Sequence, residues 1–253
     1  IKNTTIVYDR IKKLQLDFAR GAPIGSACLR RSGISNDLSA QYVRSGWIQR
    51  LGRGVFMHTG DQLQLDPTLV FLESKITGLH VAAKSALARH GYRQNLSASE
   101  SVILWGAPKA RLPDWFMERF GGRYNRTQLF SSPQSAGLFR LPESPTGPLV
   151  SEPELALLEM LSEVGLSQEL NEARAIMEGM RQIRVKRLLQ WIQCCKMVKA
   201  VRLCALWSRE LELPWAERVI DGIPDAMLRH RWTGKLANGD TLNLPAMPHE
   251  QGK

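Results

Sequence analysis

The sequence predicts an α+β fold: a small N-terminal unit of helices and a hairpin, then a larger mixed α/β part that becomes helix-rich toward its C-terminus. Three observations predict it. Glycines punctuate two short helical patterns and a hairpin pattern within the first sixty residues. Short apolar runs then alternate with helical patterns as far as residue 141. From Ser151 onward, apolar residues recur mostly at helical spacing.

Residues 4–16 place Ile6, Ile11 and Leu14 at helical spacing, with Arg10, Lys12 and Lys13 opposite, and predict a first helix. After the break Gly21-Ala22-Pro23, a short helical stretch runs from Ile24 to Arg31. It stops at Ser32-Gly33, where glycine takes the positive φ of a tight inter-helix turn. A third helix starts with Ser35 or Asn36 as N-cap, turns Leu38, Tyr42 and Ser45 inward, and stops at Gly46. Its other face offers Asn36, Ser39, Gln41 and Arg44, groups suited to reach base edges and phosphates from a major-groove helix. Trp47 to Leu51, the turn Gly52-Arg53-Gly54 and Val55 to His58 read as a hairpin tipped by arginine.

That order of elements is a winged helix-turn-helix over residues 1–60. The candidate DNA contacts are Ser35, Asn36, Ser39, Gln41 and Arg44 on the third helix and Arg50 and Arg53 on the hairpin. Lys12, Lys13, Arg30 and Arg31 add positive charge around them.

Residues 61–253 form the second predicted part, with a connection or an internal boundary near 142–150, where Pro142, Pro145, Gly147 and Pro148 cluster. Asp66 to Ile76 predicts a helix with Leu69, Leu72 and Ile76 inward. Within it, Glu73-Ser74-Lys75 is the E-x-K dyad of metal-dependent nucleases. That chemistry needs the dyad on a strand, and the helical pattern makes it a solvated helix face instead. A DNA-targeted nuclease is the alternative function. His80 to Gly91 predicts a strand entry and a helix, Glu100 to Trp105 a buried strand, Pro113-Asp114-Trp115 an amphipathic turn, and 127–131 and 137–141 further strands. Ser151 is placed to cap a helix over Leu155–Glu163, with Glu152 and Glu154 near its positive end. Residues 169–180, 184–195 and 197–211 predict three more helices.

Charge is uneven. The net is +10, yet residues 1–58 hold ten Lys/Arg against three acids, and residues 174–209 hold nine against Glu178 alone. The remainder is net acidic. The second basic region comprises Arg181, Arg184, Lys186, Arg187, Lys196, Lys199, Arg202 and Arg209. Three roles fit it: a surface for an acidic protein, a second nucleic-acid contact, or a solvated face. Candidate partner contacts are Arg184, Lys186, Arg187, Lys196, Lys199 and Arg202.

Cys28, Cys194, Cys195 and Cys204 lack paired C-x-x-C spacing, and the five histidines lack metal-ligand spacing, so neither metal nor cofactor is expected. Walker, G-x-S-x-G and H-E-x-x-H motifs are absent, and the expectation is a protein without enzymatic activity. No apolar run approaches the roughly 20 residues of a membrane span, and residues 1–20 are not a signal peptide, which predicts a cytoplasmic protein.

Several blocks together are similar to the AbiEi family, the antitoxin and regulator halves of abortive-infection, type IV toxin–antitoxin systems. They are Gly33-Ile34-Ser35, Tyr42 to Ile48, Leu51 to Phe56, His80 to Leu87 with His90-Gly91, Ser151 to Glu154, the Lys196-to-Trp207 helix, and Gly234 to Pro245. Ala82-Ala83 departs by standing where paired glycines are expected. The resemblance implies a winged helix that represses its own operon at promoter inverted repeats in double-stranded DNA. It also implies a C-terminal domain that neutralises a nucleotidyltransferase-like toxin.

Overall fold

The computed structural model describes residue 16 and residues 18–93, 101–126, 128–237 and 239–247. Of the first predicted helix only Leu16 is described, as helical; Lys12 and Lys13 lie outside the described residues.

Two hydrophobic cores organise the chain. The smaller gathers Ile24, Leu29, Ile34, Tyr42, Ile48 and Phe56. Around it stand strand β1 (Ile24–Gly25), helices α1 (Ser26–Arg31) and α2 (Asn36–Arg44), and the hairpin β2 (Ile48–Gly52)–β3 (Val55–His58). Gly33 sits at φ 81° in the turn between α1 and α2, where a Cβ would be strained. The Ile34 N–H donates back to Leu29 O at 2.9 Å, which drops Ile34 into the core. Ser35, one of the two N-cap candidates, caps α2 by accepting from the Leu38 N–H at 3.2 Å.

The stretch expected to be helical from Ile24 begins as a strand. Ile24 and Gly25 pair antiparallel with Phe56 and Val55, completing a three-stranded sheet in the order β1-β3-β2. The free edge of a two-residue-turn hairpin outweighs local helical pattern here, because that edge carries unpaired backbone groups.

The larger core is built on helix α3 (Leu65–Glu73), strand β4 (His80–Val81), α4 (Ala83–Arg89), β5 (Ile103–Trp105), α5 (Asp114–Phe120), β6 (Arg123–Asn125), β7 (Leu138–Phe139), β8 (Val150–Ser151) and α6 (Pro153–Glu163). Its sheet runs β6-β5-β4-β8-β7, parallel at β5–β6 and β4–β8 and antiparallel elsewhere. Every residue of α6 from Glu154 to Ser162 is buried, as expected of a helix apolar on most sides. Against it pack α4, α8 (Val185–Cys194) and α9 (Val198–Glu210). Helices α7 (Leu170–Glu178), α10 (Ala216–Ile220) and α11 (Asp225–Leu228) and the hairpin β9 (Trp232–Lys235)–β10 (Thr241–Leu244) complete the fold. The hairpin docks where Gly165, at φ 76°, leaves no room for a Cβ beside Leu236. Ala237 N–H donates to Gly165 O at 2.6 Å.

Four expectations change. Ser151 is not a cap: it lies in β8 and its hydroxyl donates inward to Glu159, leaving Glu152 at the N-cap. Only Phe130 of 127–131 pairs, in a single bridge to Cys195. The stretch 137–141 reduces to β7, entered through the 3-10 turn Gln134–Gly137. Glu73 is not a solvated side chain. It accepts from Arg140 Nη2 at 2.9 Å and from the Leu149 N–H at 2.5 Å, pinning α3 to the strand entry of β8. Lys75 remains exposed, with its Nζ 5.6 Å from the Phe71 ring centroid.

Candidate nucleic-acid interface and the second basic region

Helix α2 turns Tyr42 and Ser39 into the small core. That leaves Ser35, Asn36, Asp37, Gln41, Arg44 and Ser45 exposed. Two expectations reverse. Ser39 is 4% exposed and its hydroxyl donates to Ser35 O at 2.8 Å, so it faces protein. Ser45, expected inward, is exposed and donates to Gln41 O at 2.9 Å. The inward seam follows Tyr42 with its i−3 neighbour rather than its i+3 neighbour, a choice two equally small serines cannot announce in sequence.

Arginines also stand on the neighbouring α1 and hairpin. Arg30 Nη1 stands 3.5 Å from Asn36 Oδ1, and Arg31 Nη2 donates to Cys28 Sγ at 3.0 Å. Arg50 lies 5.5 Å from the Phe56 ring centroid, and Arg53 is exposed at the hairpin tip. Among the described residues, none of Arg30, Arg31, Arg44, Arg50 and Arg53 forms an ion pair. Cations left without carboxylates are available to phosphate. Trp47, 43% exposed at the end of α2, joins this surface and was not among the expected contacts.

The second basic region resolves differently. Arg184 donates through Nε to Glu154 Oε1 at 3.0 Å and through Nη2 to Glu152 Oε2 at 2.9 Å and Glu154 Oε2 at 2.5 Å. The Glu154 hydrogen bond foremost raises its pKa and keeps the guanidinium charged. Arg187 donates to Glu152 Oε1 at 2.5 Å and stacks 5.0 Å from the Trp191 ring. The two acids at the start of α6 therefore hold α8 against it.

Lys199 and Arg202 are corrected outright: they are 8% and 3% exposed. Lys199 Nζ donates to Val164 O at 2.8 Å, and Arg202 donates to Met227 O at 3.0 Å and Pro245 O at 2.5 Å. Both sit on a helix packed on several sides, so their long stems cross apolar neighbours to reach carbonyls at the rim. Burial lowers the pKa of both. Of the six expected partner contacts, Lys186 and Lys196 present exposed, unengaged heads among the described residues.

Sequence reasoning missed Glu159, which is fully buried. Its Oε2 accepts the Ala83 N–H at 2.9 Å, and its Oε1 accepts the Ser151 hydroxyl at 3.1 Å and lies 3.2 Å from His80 Nε2. His80 Nδ1 faces Gly78 O at 2.7 Å. A carbonyl only accepts, so the geometry suits a hydrogen on Nδ1 and leaves Nε2 facing the Glu159 carboxylate. The His80–Gly91 and Ser151–Glu154 blocks meet at this carboxylate. Ala83 stands at φ 49°, the left-handed region where glycine was expected.

The described residues form an α+β fold with an exposed polar face on α2. Residues 8–98 match the family described as transcriptional regulator, AbiEi antitoxin N-terminal domain, and residues 99–224 match transcriptional regulator, AbiEi antitoxin, type IV TA system. The chain belongs to the AbiEi antitoxin family of type IV toxin–antitoxin systems. The two matches meet inside the five-stranded sheet, which takes β4 from the first and its other strands from the second. The crystal structure of the RV2827C protein from Mycobacterium tuberculosis is similar, with a TM-score of 0.61 at 15% identity, covering 85% of this chain and 80% of that one. No curated protein matches the chain. Among the described residues, no helix is long and apolar enough to cross a membrane.

Proposed function

We propose that this protein is a sequence-specific DNA-binding autorepressor and the antitoxin of a nucleotidyltransferase-like toxin. Residues 1–60 act as a winged helix-turn-helix and residues 61–253 as the partner-binding domain. The observation that carries the DNA reading is that five arginines, Arg30 and Arg31 on α1, Arg44 on α2 and Arg50 and Arg53 on the hairpin, form no ion pair among the described residues. Helix α2 enters the major groove of promoter inverted repeats; Asn36, Gln41 and Arg44 reach base edges, with Ser35 at its N-terminus. Arg50 and Arg53 on the hairpin and Arg30 and Arg31 on α1 neutralise phosphates, fixing register before bases are read. The toxin assignment rests on family membership.

The test is binding of the purified chain to its own upstream promoter and to a scrambled duplex over a salt series. Preference for the promoter, with affinity falling steeply as salt rises, is expected. Arg44→Ala should cost about 1–3 kcal/mol on the promoter alone. Arg53→Ala should weaken both duplexes alike and shallow the salt slope by about one. Unchanged affinity in both variants refutes the assignment of this face.

A further inference from the structure

The two faces of the three-stranded sheet meet different parts of the chain. Ile24 pairs with Phe56, and both enter the small core. The neighbouring row, in which Gly25 and Gly52 both pair with Val55, points the other way, because successive residues of a strand alternate faces. Against that row lie Phe71 of α3 and Trp115 of α5, tilted rings with centroids 6.5 Å apart that pack on the larger core. A Cβ at Gly25 would stand 3.3 Å from Phe71 Cε2, and one at Gly52 3.1 Å from Trp115 Cδ1. Neither glycine has a positive φ, so backbone conformation does not call for glycine there. Glycine weakens a strand, and its presence on both flanks of Val55 marks the close approach of a neighbour. Phe116, fully buried beside Trp115, holds α5 and thereby the ring. Arg53 then sits between two anchored residues: Gly52 rests on Trp115, and Gly54 O accepts the Ser26 N–H at 2.8 Å.

We propose that Trp115, distant in sequence from the winged unit, is a positioning residue for DNA binding. With Phe71 it seats the glycine row, fixes the β2–β3 hairpin against the larger part of the chain and holds Arg53 where phosphate is met. An arm ordered before binding loses less conformational entropy on contact. The role of Arg53 on phosphate rests on the DNA reading above. Trp115 acts through the hairpin, which implies coupling to Arg53 at its tip and none to Arg44 on α2.

The experiment measures binding of the full chain to its upstream promoter over a salt series, in a double-mutant cycle of Trp115→Ala and Arg53→Ala. Arg53→Ala alone should shallow the salt slope by about one. Trp115→Ala should do the same, and adding Arg53→Ala to it should change the slope no further. Trp115→Phe, which keeps a ring, should stay near wild type. Arg44→Ala should weaken promoter binding by the same factor with and without Trp115. Thermal melts supply an arm without DNA: Gly52→Ala should lower the Tm of the wild type and lower it much less beside Trp115→Ala, where the added methyl has room. If Trp115→Ala does not fold, Gly52→Ala, which lifts the hairpin from the ring, takes its place in the salt series. An Arg53→Ala effect of equal size with and without Trp115 overturns the positioning role and leaves the DNA reading standing. A Gly52→Ala loss indifferent to Trp115 does the same. A wild-type chain that does not prefer the promoter to a scrambled duplex removes the DNA reading, and the positioning role with it.

Discussion

Glu159→Ala should be among the most damaging single changes in this chain, and Glu159→Gln should not be. The carboxylate is fully buried and satisfies the Ala83 N–H, the Ser151 hydroxyl and His80 Nε2 at once. Alanine strands these groups in a site closed to water, and each abandoned buried donor costs about 1–3 kcal/mol. Relaxation and local water entry limit the sum to the range for breaking a buried pair, about 3–5 kcal/mol. For a chain of 253 residues, that corresponds to a fall in Tm of roughly 10 °C. Glutamine keeps an oxygen for the Ala83 N–H. Its amide hydrogen meets the bare Nε2 of a neutral His80 whose Nδ1–H remains on Gly78 O, and the Ser151 hydroxyl rotates to accept. Its cost should be about 1 kcal/mol. Urea and thermal unfolding of the two variants beside wild type checks both numbers. A Glu159→Ala loss below about 1 kcal/mol, or equal losses for the two variants, refutes the junction described above.

Three further outcomes are expected. Ala83→Gly relieves left-handed strain worth about 1–2 kcal/mol but loses a buried methyl and frees the unfolded chain by similar amounts. It should be near neutral in an unfolding titration, whereas Ala86→Gly, inside α4 and fully buried, should cost about 1–2 kcal/mol. Ellman titration of the native protein should count two reactive thiols, the half-buried Cys28 and Cys194. Burial pushes Cys195 up to about 11 and Cys204 up to about 12, so both should react only after denaturation. Burial raises the Asp61 carboxyl, but the Arg20 guanidinium and the Gly21 N–H outweigh it and leave it below its ordinary 3.8. A carboxyl lowered on folding stabilises above its unfolded value, and the contribution is lost as pH falls through the lowered one. Asp61→Asn should therefore flatten the acid limb of a stability–pH profile and leave its shape near neutrality unchanged.

The sequence by itself determined the elements whose cause is local. The glycine between α1 and α2, the Ser35 cap and the arginine-tipped hairpin are set by φ preference and short-range hydrogen bonds, and each can be read from a few adjacent residues. Helices α3, α4 and α6 to α9 were legible because apolar spacing repeats over enough turns. The exposed arginines around α2 were legible as residues, and Ser39 and Ser45 were not, since two serines carry no apolar signal to say which side packs.

Tertiary structure alone decided which charges are free. Lys199 and Arg202 look like any exposed basic pair on an amphipathic helix, yet helices and a hairpin distant in sequence close over them. Arg184 and Arg187 find Glu152 and Glu154 some thirty residues earlier. Whether a cation is solvated, paired or buried depends on which chain returns to cover it, and that is a long-range property no local pattern encodes. The same holds for Glu159, one more residue of an apolar helix by sequence, which becomes the junction of two distant blocks only when β4 and β8 lie side by side.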